Sequence, residues 1–516
     1  MIIERTKNAS RNIIFGSVLK LYQIALPFAL RTIMMYTIGV KYLGLNSLFT
    51  SILQVLNLAE LGVGSAMVFS MYKPIAEDDS DTICALMHLY KIYYRLIGLI
   101  ILIVGLIIVP FVPKLIASDV PEDVNIYVLY LLNLTATVLT YWLFAYKNSI
   151  LQAHQRTDIS SKVTIVTDTV KYALQILVLF IFKNYYLYVI ILLASQALNN
   201  IITAVLAQRI YPQYIAKGKL PKDSVKSINQ KIKDLFTSKL GYTLVSAADN
   251  LVISSFLGLA VLAKYQNYYF IMSSVIGFIA IIYASITAGV GNSMLTKSIE
   301  KNYEEFKVFT LLVAWLSAIC VSCFIVLYQP FMIIWMGEDM LLSFTVVILF
   351  CAYFWVYELV MMISVYKDAG GIWHKDRFRP LVAGIVNLLI NLIVVRSLGV
   401  NGVKVATVIS MAFVSIPWII ANVFQEIFKV SPVEYVKKLI FYTVDIVLVS
   451  SIAYGVTYLI YGDSIFTLVI KAVITVLVAT ILMLILIRKD KSFGGAVNLV
   501  FKMLKMDKLL IRIKKR

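Results

Sequence analysis

The sequence predicts an all-α integral membrane protein, and three observations support this prediction. Of the 516 residues, 60% are hydrophobic and 15% are charged, and the mean hydropathy is +0.86. Soluble domains are nearer half apolar and a quarter charged. The apolar residues form runs of about 20, which is the length that a helix needs to cross a bilayer. Each run is far longer than the roughly 10 residues of a membrane β-strand.

Fourteen candidate spans follow one another along the chain, and we predict a helix for each. Their ranges are 13–38, 43–70, 86–110, 123–146, 162–182, 186–209, 235–257, 267–290, 307–329, 341–365, 380–397, 401–424, 438–461 and 465–487. The segment between the sixth and seventh spans is basic, and we expect it to lie on the membrane face. The predicted parts are therefore an N-terminal lobe of helices 1 to 6 (1–210), a basic linker (211–234), a C-terminal lobe of helices 7 to 12 (235–424), helices 13 and 14 (425–487) and a basic tail (488–516).

The basic residues gather on one side of the predicted bundle. Of the 47 lysines and arginines, 34 fall in or at the edges of the termini and alternate loops, and six fall in the remaining loops. Because positive residues collect in cytoplasmic loops, both termini are predicted to be cytoplasmic. The same bias accounts for the net charge of +19, so no nucleic-acid partner is expected.

A faint internal repeat links the two predicted lobes. The run "YLGLNSLFTSI" after the first span matches "FLGLAVLAKYQNY" after the seventh, which places Gly44 opposite Gly258. In this register Gly62 corresponds roughly to Gly277, and Val245 lies opposite Arg31. Because six helices separate the copies, the two halves should have the same orientation in the membrane, as in some transporters.

Polar side chains form stripes along several spans. Ionisable groups inside a membrane are costly, so such stripes are expected to face other helices or a water-filled cavity. Five spans carry them: Lys20, Gln23, Pro27 and Arg31; Asn46, Thr50, Gln54, Asn57, Glu60 and Gly64; Thr164, Asp168, Lys171 and Gln175; Lys239, Thr243, Ser246 and Asn250, with Asp249 at the edge; and Tyr353, Tyr357 and Glu358. The second set predicts a continuous polar face along one helix.

The ionisable residues of these stripes are open to functional and structural interpretations. Glu60 either couples transport to an ion or pairs with Arg31 to lock the first two helices together. Asp168 and Lys171, three residues apart, are expected mainly to neutralise each other. Arg31 lies well inside its span and is the best candidate for a phosphate contact, because guanidinium binds phosphate through two parallel hydrogen bonds.

Catalytic chemistry is not predicted. The histidines (His88, His154 and His374) have no metal-ligand spacing, and the four cysteines lie in or beside apolar runs. The sequence holds no phosphate-binding loop of the Walker type, and its predicted outer loops are short. We therefore expect no enzyme, no catalytic residue, no metal and no cofactor.

Four segments resemble a known family. They are "YLGLNSLFTSILQVLNLAELGVGSAMVFSMYKPIAEDD", "SAADNLVISSFLGLAVLAKYQNYYFI", "ASITAGVGNS" and "YKDAGGIWHKDRFRPLVAGIVNLLINLIVVRSLGVNGVKVATVIS". In this order they are similar to segments of the polysaccharide transporter family, the Wzx-type flippases of lipid-linked oligosaccharides. That family belongs to a superfamily that also holds the multidrug and toxin extrusion (MATE) exporters and the lipid II flippases.

The resemblance implies two six-helix lobes in a V-shaped arrangement plus two C-terminal helices, with alternating access to a central cavity. It implies a bacterial cell-membrane protein that moves an undecaprenyl-pyrophosphate-linked oligosaccharide to the outer leaflet, beside a polysaccharide polymerase and assembly proteins. In such flippases the cavity is cationic, and here Arg31 and Lys239 match in kind. Gln54, Asn57 and Asn250 complete the predicted substrate contacts. Asp249 and Glu358 join Glu60 as candidates for ion coupling or for structural ion pairs.

Two alternatives remain open at this stage. A flippase of the peptidoglycan precursor lipid II belongs to the same class and would share the features above. An ion-coupled multidrug exporter would be expected to have acids dominating its cavity, whereas bases are at least as common in these spans.

Overall fold

The computed structural model describes residues 5–60, 62–117, 120–462 and 464–503. These residues form helices joined by turns, and no strand occurs among them, which confirms the predicted all-α class. The chain divides into two compact units, Met1–Ala263 and Lys264–Arg516. The first unit takes in both the predicted linker (211–234) and the predicted seventh span, while the lobe boundaries drawn from the sequence stay a prediction.

Nine helices build the first unit in the described part of the chain. They are α1 (Arg5–Thr37), α2 (Val40–Leu56), α3 (Val63–Ala76), α4 (Ser80–Ile108), α5 (Ile126–Trp142), α6 (Asn148–Ala153), α7 (Thr157–Ile181), α8 (Tyr185–Ile210) and α9 (Lys222–Leu257). Helix α7 packs between α1 and α8, α4 packs between α3 and α5, and α2 packs on α9. Buried leucines, isoleucines and methionines fill most of these contacts, and buried polar residues such as Asn133, Asp158 and Gln175 lie among them.

The second unit is built around one long helix. Its described helices are α10 (Leu259–Thr296, which begins just before the unit boundary), α11 (Ile299–Met336), α12 (Phe344–Ala369), α13 (Trp373–Asp376), α14 (Arg379–Ser410), α15 (Ile416–Val423), α16 (Val433–Tyr458), α17 (Ile465–Ile487) and α18 (Phe493–Met503). Helix α11 packs against α12, α16, α17 and α18. Short π-helical turns flank α15 and keep the chain helical from α14 to residue 428.

Ten helical segments of the described chain are long and apolar enough to cross a membrane, or eleven if the bent pair Ile126–Trp142 and Ala145–Ala153 counts as one span. The prediction was fourteen. Two of the predicted spans lie within one continuous segment, Trp373–Phe428. The predicted seventh span falls in α9, where the shorter helix Ala247–Leu257 passes the test of composition but not of length.

The predicted second span, 43–70, is not one helix. Helix α2 ends at Leu56, the chain makes a 3-10 turn from Asn57 to Glu60, and Gly62 takes a left-handed conformation (φ +90°) before α3 begins. The predicted continuous polar face along this span is therefore wrong. Glycine adopts positive φ at little cost, so Gly62 can turn the chain at the point where Glu60 leaves the helix.

The conformation of Gly258 does not recur at Gly44, its partner in the sequence match. Gly258, between α9 and α10, has φ +93° and ψ 172°, and the residue with the same conformation in the first half is Gly39, with φ +103° and ψ 171°. Gly44 instead lies inside α2. With Gly39 aligned to Gly258, Arg31 corresponds to Asn250 and not to Val245.

Gly44 has a separate structural role within the first unit. A Cβ added there would lie 2.2 Å from the carbonyl oxygen of Leu259. The absence of a side chain therefore allows α2 to approach the start of α10 closely.

A buried ion cluster stabilises the loop between α12 and α14. Arg379 and Asp376 are almost fully buried and make two hydrogen bonds, Nε–Oδ1 at 2.8 Å and Nη2–Oδ2 at 2.9 Å. Lys367 Nζ lies 3.9 Å from the second oxygen of Asp376 and also pairs with Asp368. These residues belong to the "KDAGG…RP" segment. The charged residues of that segment therefore have a structural role, which is to form this cluster.

The predicted linker is packed against the first unit at its start. The ring of His154 lies 4.3 Å from that of Tyr211 and 5.5 Å from that of Tyr214, measured between centroids. His154 Nδ1 lies 2.9 Å from the carbonyl oxygen of Ile150, and His88 Nδ1 lies 2.8 Å from that of Gly218. Burial lowers the pKa of His154 below its ordinary value, so the neutral ring is favoured there.

Candidate functional site

A polar cavity of about 290 Å³ lies within the first unit. Five of the helices defined above supply its walls: α3, α4, α6, α7 and α8. The polar residues that line it are Glu60, Ser65, Tyr90, Tyr94, Asn148, Ser149, Gln152, Ser160, Thr164, Asn199, Asn200 and Thr203. Among these described lining residues Glu60 is the only acid, and none is a lysine or an arginine.

Glu60 and two tyrosines form a hydrogen-bonded chain at one side of this cavity. Tyr90 donates to the Tyr94 hydroxyl at 2.6 Å, and Tyr94 donates to Glu60 Oε1 at 3.0 Å. Gly64 lies beside them, where a Cβ would come within 2.8 Å of the Tyr90 hydroxyl and 3.2 Å of Glu60 Oε1. The break after α2 thus presents Glu60 to α4, and the glycine leaves room for the three polar groups.

Amide side chains also line the cavity. Ser160 donates to Asn148 Oδ1 at 2.7 Å, and Asn200 Nδ2 donates to the carbonyl oxygen of Thr140 at 2.8 Å. Asn199 Nδ2 reaches Thr164 Oγ1 at 3.5 Å, while its buried Oδ1 has no hydrogen-bond partner among the described residues. A buried acceptor without a donor costs about 1–3 kcal/mol, so this cavity suits a ligand that donates hydrogen bonds.

Arg31 lies in the same unit but at a different depth. Its guanidinium is half-buried and lies near enough to Tyr188, in the first turn of α8, for the two to interact electrostatically. Tyr188 and the cavity residue Asn199 are eleven residues apart on α8, which corresponds to about 16 Å along the axis. Arg31 therefore does not belong to the wall of the polar cavity.

Gln54, Asn57 and Asn250, also predicted to contact substrate, are not among the residues that line the cavity. Asn57 Oδ1 accepts a hydrogen bond from Tyr141 at 3.0 Å, Gln54 is exposed, and Asn250 Nδ2 donates to Ser51 Oγ at 2.8 Å. Asp249 is buried, with 4% of its surface exposed. The side chain of Lys239 lies outside the described residues.

Asp168 and Lys171 form an ion pair on α7. Lys171 Nζ lies 2.6 Å from Asp168 Oδ1 and 4.0 Å from the centroid of the Tyr172 ring. Both charged side chains are largely buried, with 11% and 15% exposed. In this geometry the two charges neutralise each other, as their spacing of three residues on one helix leads us to expect.

Glu358 belongs to the second unit and is buried on α12. Tyr283 donates to Glu358 Oε2 at 2.6 Å, and Oε1 has no hydrogen-bond partner in the described part of the chain. Cys320 lies near enough to interact electrostatically with this carboxyl group. Glu60 and Glu358 thus share one motif, a carboxyl group that accepts from a buried tyrosine, although they lie in different units.

Lys404 is a buried cation that the sequence did not predict. The structure places it on α14 beyond Gly399, 1% exposed. Its Nζ lies 4.1 Å from the ring centroid of Tyr353 and 4.7 Å from that of Phe350, and it donates to the Tyr265 hydroxyl at 2.9 Å. Aromatic faces attract a cation that has lost its water, so these rings replace part of its hydration.

Comparison with solved structures identifies the fold. The lipid II flippase MurJ in an inward closed conformation matches with a TM-score of 0.63 at 17% identity, over 92% of this chain and 99% of that chain. An inward-facing MATE family transporter of the MOP superfamily matches with a TM-score of 0.60 at 14% identity, over 79% and 97% of the two chains. A MOP superfamily transporter from Pyrococcus furiosus matches with a TM-score of 0.53 at 14% identity, over 82% and 97%. No family model and no curated protein matches the chain. The chain has the fold of these transporters.

Proposed function

We propose that the protein is a MOP-superfamily flippase that moves an undecaprenyl-pyrophosphate-linked oligosaccharide from the inner to the outer leaflet of the bacterial cell membrane by alternating access. The fold supports transport, because the structures that share it are flippases and exporters. The polar cavity of the first unit supports a sugar as the transported group. The proposal is thus more specific than the fold, and it rests on what that cavity can bind.

The lining of the cavity carries the proposal. Sugar hydroxyls both donate and accept hydrogen bonds, and side-chain amides offer the same two functions. Asn148, Asn199 and Asn200 supply amides, and the unpartnered oxygen of Asn199 would accept from a hydroxyl. The volume of about 290 Å³ is at the lower limit for ligand sites, so the cavity would hold one part of a larger head group.

The share of this chain that each kind of solved structure matches helps to choose between the alternative functions. The match to the lipid II flippase covers 92% of this chain, and the match to the inward-facing MATE transporter covers 79%. The additional part of the chain is long enough to hold the helix pair α16 and α17, which have 26 and 23 residues. The extra length favours a flippase over a MATE-type exporter, and it leaves a lipid II flippase as the second candidate.

The pyrophosphate would be bound elsewhere than the sugar. The candidates are Arg31 on α1 and Lys239 on α9, and both helices belong to the first unit. Glu60, Asp249 and Glu358 are the candidates for coupling to a proton or a sodium ion. If Glu60→Gln left both flipping and its ion dependence intact, Glu60 would have no coupling role.

Transbilayer movement of a fluorescent polyprenyl-pyrophosphate sugar in liposomes tests the proposal. We expect Asn199→Leu to slow movement, because it removes the acceptor and adds an apolar group to the cavity. Arg31→Ala and Lys239→Ala should each reduce movement of the pyrophosphate substrate, whereas Arg396→Ala, which alters an exposed arginine, should not. Movement that survives all three variants would return these residues to structural roles. Export of small cations without any lipid movement would favour the multidrug exporter instead.

A further inference from the structure

A second cavity, of about 320 Å³, belongs to the second unit and is almost entirely apolar. It is bounded by α10, α11 and α12 and by the last described helix, α18, and it is partly open, since its lining residue Ile282 is 46% exposed. Ile282, Leu312, Ile319, Met362 and Leu499 are among its lining residues, and no charged residue is among those that line it in the described chain. Cavities of this size with aliphatic and aromatic walls and few polar groups are typical of small-molecule sites.

Tyr366 and Trp315 line this cavity, and each carries a buried donor. The Tyr366 hydroxyl and the Trp315 Nε1 have no hydrogen-bond partner among the described residues, and Tyr366 is 1% exposed. A buried donor without a partner is costly. The lining therefore suits a ligand that is mostly hydrocarbon and carries a neutral acceptor.

The position of the cavity along its helices suggests the source of that ligand. Tyr366 follows the predicted membrane segment 341–365, so it lies at the predicted cytoplasmic interface. On α11 the lining residues run from Phe309 to Ile319, which is about 15 Å along the axis. This length is half of the roughly 30 Å hydrocarbon core, or the depth of one leaflet.

The C-terminal helix forms one wall of the cavity and is held firmly in place. Leu499 of α18 lines the cavity, and Gly495 lets α18 approach α11, since a Cβ there would lie 2.7 Å from Val308 Cγ2. Just before α18, Lys438 Nζ and the Tyr442 hydroxyl each donate to Asp490 at 2.8 Å. A ligand in the cavity would therefore contact the segment that ends the described chain.

We propose that this cavity binds one acyl chain of an inner-leaflet phospholipid, with the ester carbonyl of that chain accepting a hydrogen bond from Tyr366. The charged head group stays outside, because the lining residues offer no charge. The bound chain joins α10, α11, α12 and α18 into one packed layer and so stabilises the second unit. This site is separate from the polar cavity of the first unit and does not rest on the proposed function.

Retention of lipid by the intact protein tests the proposal. Native mass spectrometry after purification in detergent should show one phospholipid on the wild type. It should show at least fivefold less on Ile319→Phe, whose larger ring obstructs the cavity. The matched control is Ile440→Phe, at a position 60% exposed on α16, and it should retain lipid as the wild type does. Equal retention by both variants, or a detergent molecule as the only occupant, would overturn the proposal.

The role of Tyr366 is tested by changing either partner of the hydrogen bond. A phospholipid with ether-linked chains lacks the carbonyl oxygen, so the wild type should retain the ester form about two- to tenfold better than the ether form. Tyr366→Phe should lose this preference and still retain some lipid. An ester preference that persists in Tyr366→Phe would show that the carbonyl is not bound there.

A fluorescence measurement provides a second test in a bilayer. Trp315 lines the cavity, and the chain has five other tryptophans, which can be replaced by phenylalanine. Chain-brominated phosphatidylglycerol vesicles should quench Trp315, and Ile319→Phe should remove at least half of that quenching. Quenching that Ile319→Phe leaves unchanged would come from lipid outside the cavity and would contradict the proposal.

Discussion

Replacing Gly44 by alanine should destabilise the first unit by about 1–2 kcal/mol, the difference between a packing cost and a gain in helix propensity. A Cβ at this position would lie 2.2 Å from the carbonyl oxygen of Leu259, whereas ordinary contacts begin at 3.4 Å, so α2 would have to move by about 1.2 Å. Overpacking of this kind costs about 1–3 kcal/mol, and the upper half of that range applies because the obstacle is backbone. Alanine recovers up to about 1 kcal/mol through its higher helix propensity.

Gly16→Ala is the matched control for this prediction. Gly16 also lies inside a helix, α1, but a Cβ there would meet no atom within 4 Å. We expect Gly16→Ala to stabilise the protein by a few tenths of a kcal/mol up to about 1 kcal/mol. The measurement is the unfolding equilibrium in mixed detergent micelles. If Gly44→Ala were as stable as Gly16→Ala, the close approach of α2 to Leu259 would not constrain the fold.

Three further predictions follow from the polar groups. Asp376→Asn should destabilise the second unit by about 3–5 kcal/mol, because it removes the buried carboxylate that pairs with Arg379; loss of the monomeric peak on size exclusion after heating would show it. Tyr94→Phe removes a donor to Glu60 and should slow lipid flipping in liposomes about two- to tenfold. The pKa of His154 is lowered in the folded protein. Its contribution to stability is therefore full above about pH 6.5 and is lost as the pH falls through the folded-state pKa. Proteolysis within 211–221 should increase as the pH falls through this range.

Each of these predictions has its own control. Asp339→Asn alters an exposed acid and should not change stability, so equal loss in both variants would contradict the role of Asp376. Tyr127→Phe alters an exposed tyrosine and should flip lipid at the wild-type rate. His154→Phe keeps a ring against the two linker tyrosines but cannot be protonated, so an unchanged pH effect in this variant would assign the effect to another group.

Hydropathy alone predicted the helices and most of their positions, because a helix that crosses a membrane must be apolar along about 20 residues. It did not predict the break at Gly62. Apolar residues continue on both sides of Gly62, so hydropathy shows one run. In the structure Glu60 lies beyond the end of α2 and accepts a hydrogen bond from Tyr94, a contact that hydropathy does not reveal. Hydropathy and residue identity also do not show backbone dihedral angles. The sequence match therefore placed Gly44 opposite Gly258, whereas the residue with the conformation of Gly258 is Gly39.

The candidate site was predicted only in part. Glu60 was singled out because an acid inside an apolar run is conspicuous. Asn148, Asn199 and Thr203 were not, because asparagine and threonine are common in and beside apolar runs, and these three come together only when α6 packs against α8. Lys404 was not predicted to be buried, because it follows a glycine turn by five residues in the sequence. The four aromatic rings around it come from residues that are distant in the sequence.

The arrangement of charge in the first unit bears on how a flippase would release its cargo. Hydrogen bonds between neutral groups exchange with water at a net cost of only about 0.5–1.5 kcal/mol each, so a cavity of amides and hydroxyls releases a sugar readily. Arg31 lies near Tyr188, which is about 16 Å from the cavity residue Asn199 along α8 and toward the predicted outer side. An inside-negative potential favours outward movement of an anionic phosphate by about 2.3 kcal/mol per charge per 100 mV. A sugar held near the predicted inner side and a phosphate attracted toward Arg31 would therefore give the transported head group a direction, which a single cationic cavity would not.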